Sequence, residues 1–414
     1  MPLGWTTLLI MQHAPAMVFV ACVGAAVGSF LNVVVHRLPA GMGLVAPASR
    51  CPVCGRQLSF FRENLPVLGW LLIRGRCRTC DTRVSPRYML VELAFGLAFV
   101  GLYAILYLAP EVPGPAGEWL RAVGGPWWWS GAHGFFHTWP AFFALAVLLA
   151  GLYAMTHVDA RTFTIPIEIP RFVTVAAFVL LALQALLLSD PRTRMDWPFH
   201  GTGWPATGAA LGGMLGVLAT WTLLVGGRLR YSFEDYEDYV EEGEVLGDYP
   251  HARREMGREL LALLPILGGA ALGWLALRGA AGVPPPVLQA IGGAAMGYLV
   301  GGGIVWAVRI LGTLAFGREA MGMGDVHLLA AVGAVIGWPE TTLAFFVAPF
   351  LGIAAAVVGA GLAGAFRLER RHLPYGPHLA TATVIVVLAR PGFDRVLTDL
   401  WGFGLPARGL VGGP

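Results

Sequence analysis

Nine apolar stretches of about 20 residues, near 15–36, 89–109, 139–157, 170–188, 206–226, 259–279, 287–311, 341–364 and 376–392, run through almost the whole chain. A tenth, shorter one follows Asp325 at about 326–338. Crossing the hydrocarbon core of a bilayer takes about 20 apolar residues in a helix. The pattern therefore predicts an all-α polytopic membrane protein of about ten transmembrane helices. Composition agrees: 56% of the 414 residues are apolar and only 13% are charged, about half the charge of a soluble domain. The N-terminus lacks the basic region of a signal peptide, so the first apolar run is expected to be retained.

The basic residues orient the chain. All 28 are Arg, and there is no Lys. With the N-terminus outside and the spans alternating, the inner segments are 37–88, 158–169, 227–258, 312–325 and 365–375. Counted with Arg171 at the inner edge of its span, they hold 20 of the 28 Arg, 9 of them in 37–88. Excess Arg marks the cytoplasmic side. Asp159 and Asp325, which played no part in setting this topology, then fall together at the cytoplasmic membrane edge. The net charge of +3 is small, and no nucleic-acid partner is read from it. Small residues four apart (Gly24/Gly28, Gly208/Gly212, Gly212/Gly216, Gly293/Gly297) permit close helix approach and point to a packed bundle.

Segment 37–88 carries two CxxC pairs, Cys51/Cys54 and Cys77/Cys80, while Cys22 sits alone in an apolar run. Four thiolates in this spacing suit a structural tetrahedral zinc site without an open position. A cytoplasmic, reducing setting argues against disulfides, and so small a loop needs the metal to hold its fold. Gly55, just after the first pair, accepts the left-handed backbone such a turn requires; Asp81, just after the second, accepts it less readily. A redox role for the pairs lacks the βαβ context it would need.

An aspartate within an apolar span costs about 2.5–3.5 kcal/mol on insertion scales and usually has a purpose there. Asp325 ends Gly322-Met323-Gly324-Asp325, whose glycines let another backbone approach the carboxylate. Asp159 ends the third span in Thr156-His157-Val158-Asp159. Two carboxylates brought to one depth do not both ionise easily; one keeps its proton while the other activates water. The chemistry predicted is that of an aspartic protease, with the two groups around one shared water despite lying 166 positions apart. For each aspartate alone, a solvated loop residue is the plain alternative. His157 and His327 lie two residues from the aspartates, so a two-Asp, two-His metal site is also conceivable; however, positions i and i+2 do not share a helix face.

These residues together resemble the type IV prepilin peptidases, the bifunctional leader peptidase/N-methyltransferases. The likeness runs in order through Gly28-Ser29-Phe30-Leu31-Asn32 to His36-Arg37-Leu38-Pro39, then Ser49-Arg50-Cys51-Pro52-Val53-Cys54 and Asn64-Leu65-Pro66-Val67-Leu68-Gly69-Trp70. It continues through Arg74-Gly75-Arg76-Cys77-Arg78-Thr79-Cys80, Ser85-Pro86-Arg87-Tyr88, Val91-Glu92-Leu93 and Arg318-Glu319-Ala320-Met321-Gly322-Met323-Gly324-Asp325, to Pro374-Tyr375-Gly376-Pro377. The resemblance implies Asp159 and Asp325 as the catalytic pair and Cys51, Cys54, Cys77 and Cys80 as zinc ligands. It also implies prepilin or pseudopilin substrates of type IV pili and type II secretion. These would be cut after a Gly at the cytoplasmic face of the cell inner membrane, and the new N-terminus methylated from S-adenosylmethionine. Three departures stand out. His327 replaces the family's usual Lys, no Asp follows Pro166, and four spans separate the aspartates where the family has two.

The expected organisation is a first helix (1–36), a four-cysteine zinc domain (37–88), a membrane peptidase domain (89–392) and a tail (393–414). The extra hairpin is placed near 206–279, with a cytoplasmic acidic loop at 227–258. Within that loop, 231–249 carry eight acids and four Tyr: a solvated loop, or a docking site for a basic leader peptide. Glu92 is either an interfacial residue or part of a methyl-transfer site. Two alternatives remain open: a GxGD intramembrane aspartic protease with other substrates, and a non-enzymatic zinc-containing membrane scaffold or transporter.

Overall fold

The structure is a computed structural model and describes residues 5–46, 48–51, 53–108, 134–187, 202–235, 249–366 and 375–401. Most of the acidic loop (236–248) and most of the C-terminal tail lie outside the described residues. Those described are almost wholly helical, and two isolated β-bridges in the cysteine segment are their only extended pairing. In chain order the helices are α1 (Trp5–Arg37), α2 (Phe60–Glu63), α3 (Leu68–Leu72) and α4 (Arg87–Tyr103), which runs on as a π-helical turn at Ala104–Leu108. Next come α5 (Phe135–Thr162), α6 (Glu168–Leu187), α7 (Trp204–Val225) and α8 (Ala252–Leu277). The last are α9 (Pro286–Phe316), α10 (Met323–Ile336), α11 (Trp338–Phe366) and α12 (Tyr375–Trp401).

Eight of these are long and apolar enough to cross a membrane, and the chain is a multi-pass membrane protein. Two of the ten apolar runs form shorter apolar helices instead, Met323–Ile336 and Tyr375–Ala389. The first stops at Gly337, whose φ of 84° is a backbone that side chains resist. The second is kinked at Ala389 (φ −106°, ψ 18°), two residues before Pro391, whose ring cannot continue the ladder.

The short α10 is the centre of the bundle. It packs against α5, α6, α9, α11 and α12, and Leu328, Leu329, Ala331, Val332 and Ile336 are fully buried. A helix apolar on all sides belongs in such a place. Glycines set its distance from α9: Gly297 and Gly333 face each other so closely that a methyl on either would overlap the other's carbonyl. The same device joins α7 to α8, where Gly208, Gly212 and Gly216 meet Gly273, Gly269 and Pro265. In α1, Gly24 and Gly28 admit the backbone of α4 at Phe95 and Glu92. The outer faces of α7 and α8 expose Leu215, Leu218, Trp221, Leu264 and Leu272, as a lipid-facing surface should.

Pro140 lies inside α5 and disturbs the ladder there. The fully buried Gln184 of α6 fills the gap. Its amide oxygen accepts the Ala141 N–H at 3.1 Å and its amide nitrogen donates to the His137 carbonyl at 2.8 Å. Those two backbone groups are ordinary i→i−4 partners, so the side chain stands in for one helical bond.

Candidate active site and zinc centre

Asp159 lies one turn from the C-terminal end of α5, and that end is closed by Phe163 in a left-handed conformation, its N–H on the Asp159 carbonyl at 2.9 Å. The side chain is buried, 7% exposed, and its carboxylate accepts the backbone N–H of Gly376. Gly376 is in the first turn of α12, where N–H groups have no partner inside their own helix and favour an anion. The fit is tight: a Cβ on Gly376 would sit 2.6 Å from an Asp159 carboxylate oxygen.

Asp325 occupies the third position of α10, three residues after the N-cap Gly322. Its carboxylate accepts the Gly322 N–H and its own N–H donates to the Gly322 carbonyl at 3.2 Å, the reach-back of a capping box. Gly324 lets Ile165, from the turn after α5, pack against this first turn, since a Cβ there would lie 3.0 Å from the Ile165 Cβ. Helices α5, α10 and α12 pack on one another. The Asp159 and Asp325 carboxylates interact electrostatically, and the Tyr375 hydroxyl interacts with Asp325. The fold thus brings two carboxylates together, each at the N-terminus of a helix, with residues 375 and 376 reaching both.

The histidines do not complete this pair. His157 stacks on Tyr153 (centroids 5.5 Å apart) and faces Arg161 and Arg87, while His327 faces Arg171. Glu92 accepts the Val67 N–H at 2.6 Å, tying the cysteine segment to α4. Val67 has a φ of 62°, a genuine strain for a β-branched residue, and this hydrogen bond helps hold it there.

Among the described residues, one group of three or more potential metal ligands converges: Cys51, Cys54, Cys77 and Cys80, their sulfurs all within 4.8 Å of one another. The Cys51–Cys80 and Cys54–Cys77 sulfurs are 3.7 and 3.9 Å apart. A zinc ion with Zn–S bonds of about 2.3 Å requires a tetrahedral edge of about 3.8 Å. The residues fit the metal. Each half is a turn closed by a bridge, Arg50 with Gln57 and Arg76 with Arg83. In each, the residue after the second cysteine is left-handed, Gly55 at φ 69° and Asp81 at φ 53°.

Backbone groups aim at the sulfurs. The N–H groups of Cys80 and Thr79 push the Cys77 thiol down to about 6, and the hydroxyl and N–H of Thr82 lower Cys80. At Cys54 the Arg56 N–H is outweighed by burial and by the other three sulfurs, which push the thiol up to about 11. Glu63, from α2, braces the module by accepting from Arg56 and from the Ser59 N–H.

Comparison with known proteins finds two family matches and several relatives. The Bacterial Peptidase A24 N-terminal domain family matches residues 22–106, and the Type IV leader peptidase family matches 260–357. Cys51 to Cys80 fall in the first match and Asp325 in the second; Asp159 lies in neither. A prepilin leader peptidase/N-methyltransferase of Klebsiella pneumoniae is 31% identical over 235 residues, covering 54% of this chain and 82% of the relative. One of Stutzerimonas stutzeri is 26% identical over 403 residues, 90% of this chain and 91% of the relative. One of Myxococcus xanthus is 52% identical over 82 residues, 20% of this chain and 24% of the relative. No solved structure matches the chain. Covering more than four-fifths of the Klebsiella relative at that identity, and matching both halves of the peptidase pattern, the chain belongs to the type IV leader peptidase family.

Proposed function

We propose that this protein is an aspartic prepilin peptidase of the cell inner membrane, with Asp159 and Asp325 as its catalytic pair and a structural zinc ion on Cys51, Cys54, Cys77 and Cys80. One observation carries the catalytic assignment. Two carboxylates 166 positions apart, at the ends of α5 and α10, lie close enough to interact electrostatically, and each accepts an N–H from a helix N-terminus. The substrate class comes from the relatives' shared name, and the cytoplasmic orientation rests on the arginine bias.

In the reaction, the neutral carboxyl of the pair donates a hydrogen bond to the scissile carbonyl oxygen. The ionised one takes a proton from a water as that water attacks the carbonyl carbon. The tetrahedral intermediate collapses when the leaving amine receives a proton from the pair, releasing the leader as a carboxylic acid and the pilin with a free N-terminus. The Gly322 and Gly376 N–H groups fix where the two carboxylates lie before substrate arrives.

The relatives' name also carries N-methylation of that new amine, for which bound S-adenosylmethionine would supply the methyl group. Two grooves among the described residues, about 680 Å³ between α7 and α8 and about 520 Å³ between α4, α5 and α12, are almost wholly apolar. They do not fit a charged nucleoside cofactor.

The test is cleavage of a prepilin peptide by purified wild type, Asp159→Asn and Asp325→Asn. Each variant is expected to lose about 10²–10⁴-fold in kcat while keeping its zinc. Normal cleavage by either variant refutes the pair, and a wild type that cleaves no such peptide favours the scaffold alternative.

A further inference from the structure

The six residues that join α9 to α10, 317–322, deliver Asp325 to the site, and they lean on a buried ion cluster. Arg309 of α9 is 2% exposed and so is Glu259 of α8. The Arg309 Nε donates to Glu259 at 2.8 Å, and its Nη1 donates to both the Glu319 carboxylate and the Met321 carbonyl of the joining loop. The other Glu259 oxygen accepts the Trp306 indole N–H at 2.8 Å, and the Phe233 ring, from the segment just after α7, covers the guanidinium at 5.2 Å. Arg309 also acts electrostatically on Asp325 itself.

We propose that Arg309 is a positioning residue for Asp325, and that the α7–α8 hairpin belongs to the active-site scaffold because it supplies the Glu259 and Phe233 that hold Arg309 in place. The inference rests on the peptidase reading above. A guanidinium serves here because its planar fork bonds a carboxylate on one side and a loop on the other at once, which a point-charge ammonium cannot do. Arg253 of α8 adds a second tether, donating from Nε to the Leu314 carbonyl at 2.9 Å and from Nη2 to that of Ala315 at 3.3 Å. The hairpin therefore grips the end of α9 directly, and the loop that follows it through Arg309. The base of the acidic loop sits on the same cluster: Glu255 accepts the Phe233 N–H at 3.0 Å, and the Tyr249 hydroxyl donates to Asp235 at 2.7 Å.

The experiment compares Arg309→Met, Arg309→Lys, the double variant Glu259→Gln/Arg309→Met and, as a control on an exposed arginine, Arg278→Met. Prepilin-peptide kinetics, thermal stability and hydrogen exchange of the 318–322 amides are read for each. Arg309→Met is expected to lower kcat about 100-fold with KM unchanged and to speed exchange in 318–322. Arg309→Lys recovers part of both, and Arg278→Met matches wild type. The double variant removes the uncompensated buried charge, so it regains stability but neither kcat nor exchange protection. Recovery of kcat in the double variant overturns the proposal, since it would mean that Arg309 acts through stability alone. Unchanged exchange in Arg309→Met overturns it as well, and if that variant fails to fold the double variant decides. A wild type that cleaves no prepilin peptide refutes the peptidase reading, and the exchange comparison still decides whether Arg309 anchors the loop.

Discussion

Replacing Gly376 by Ala tests the catalytic pair without touching either carboxylate. The added methyl would lie 2.6 Å from an Asp159 carboxylate oxygen and 3.3 Å from its Cγ. Ordinary carbon–oxygen contact begins at about 3.3 Å, so the carboxylate and the first turn of α12 must separate by roughly 0.7 Å. That shift lengthens or breaks the bond from the Gly376 N–H, and misplacement by about 1 Å costs on the order of 100-fold in rate. A fall in kcat of about 10- to 100-fold is expected, with KM near wild type. The fold should survive, because Ala is the better helix former by about 1 kcal/mol. The assay is steady-state cleavage of a prepilin peptide, with thermal stability measured on the same sample. Gly303→Ala, in α9 with open space around it, is the matched control and should be silent. Wild-type kcat in Gly376→Ala would refute the placement of Asp159 against α12.

Other outcomes follow from the zinc module, the helix contacts and the acidic loop. Purified protein should carry one zinc per chain by elemental analysis. Cys77→Ser, or exhaustive chelation, should lose that zinc and open residues 50–84 to proteases. Gly55→Val should destabilise the module by about 1–2 kcal/mol, the usual penalty of a left-handed backbone, whereas Asp81→Gly should be nearly neutral. There, relief of the left-handed strain offsets the lost pair with Arg76, which is exposed and worth little. Gly297→Val should force α9 from α10 and cost about 1–3 kcal/mol as overpacking, seen as a lower melting temperature in detergent. Replacing 236–248 by a short Gly/Ser linker should raise KM for a prepilin with a basic leader and leave kcat alone; an unchanged KM would sink the docking idea.

Much of this was legible in the chain because it is written locally. Apolar runs announce membrane helices, and CxxC spacing announces the converging thiols. Gly322 and Gly324 flag Asp325 because a carboxylate amid glycines in an apolar run is unusual. Local pattern could not show which helix meets which. Position 376 was visible as part of a Pro-Tyr-Gly-Pro turn, but its need for glycine comes from Asp159, 217 positions away. Arg309 and Glu259 were equally obscure, being 50 residues apart on two apolar helices that touch only in the bundle. The short run after Asp325 was legible as the short α10, but the kink in α12 was not, since an apolar run counts residues and does not say where a helix bends, as this one does at Ala389. Asp81 adopts the left-handed turn that its side chain disfavours, because the second cysteine pair repeats the geometry of the first.

Gln184 bears on how the protein is assembled. Without α6, α5 would carry an open rung beside Pro140, with the Ala141 N–H and the His137 carbonyl lacking the amide that bonds them both at the membrane edge. Only the following helix brings the amide that closes it. The segment that delivers Asp159 is therefore incomplete when it leaves the insertion machinery, and it becomes a finished helix when its successor arrives five residues later in the chain. Assembly would then proceed by pairs, and the first catalytic helix would owe its completion to a partner without a catalytic group.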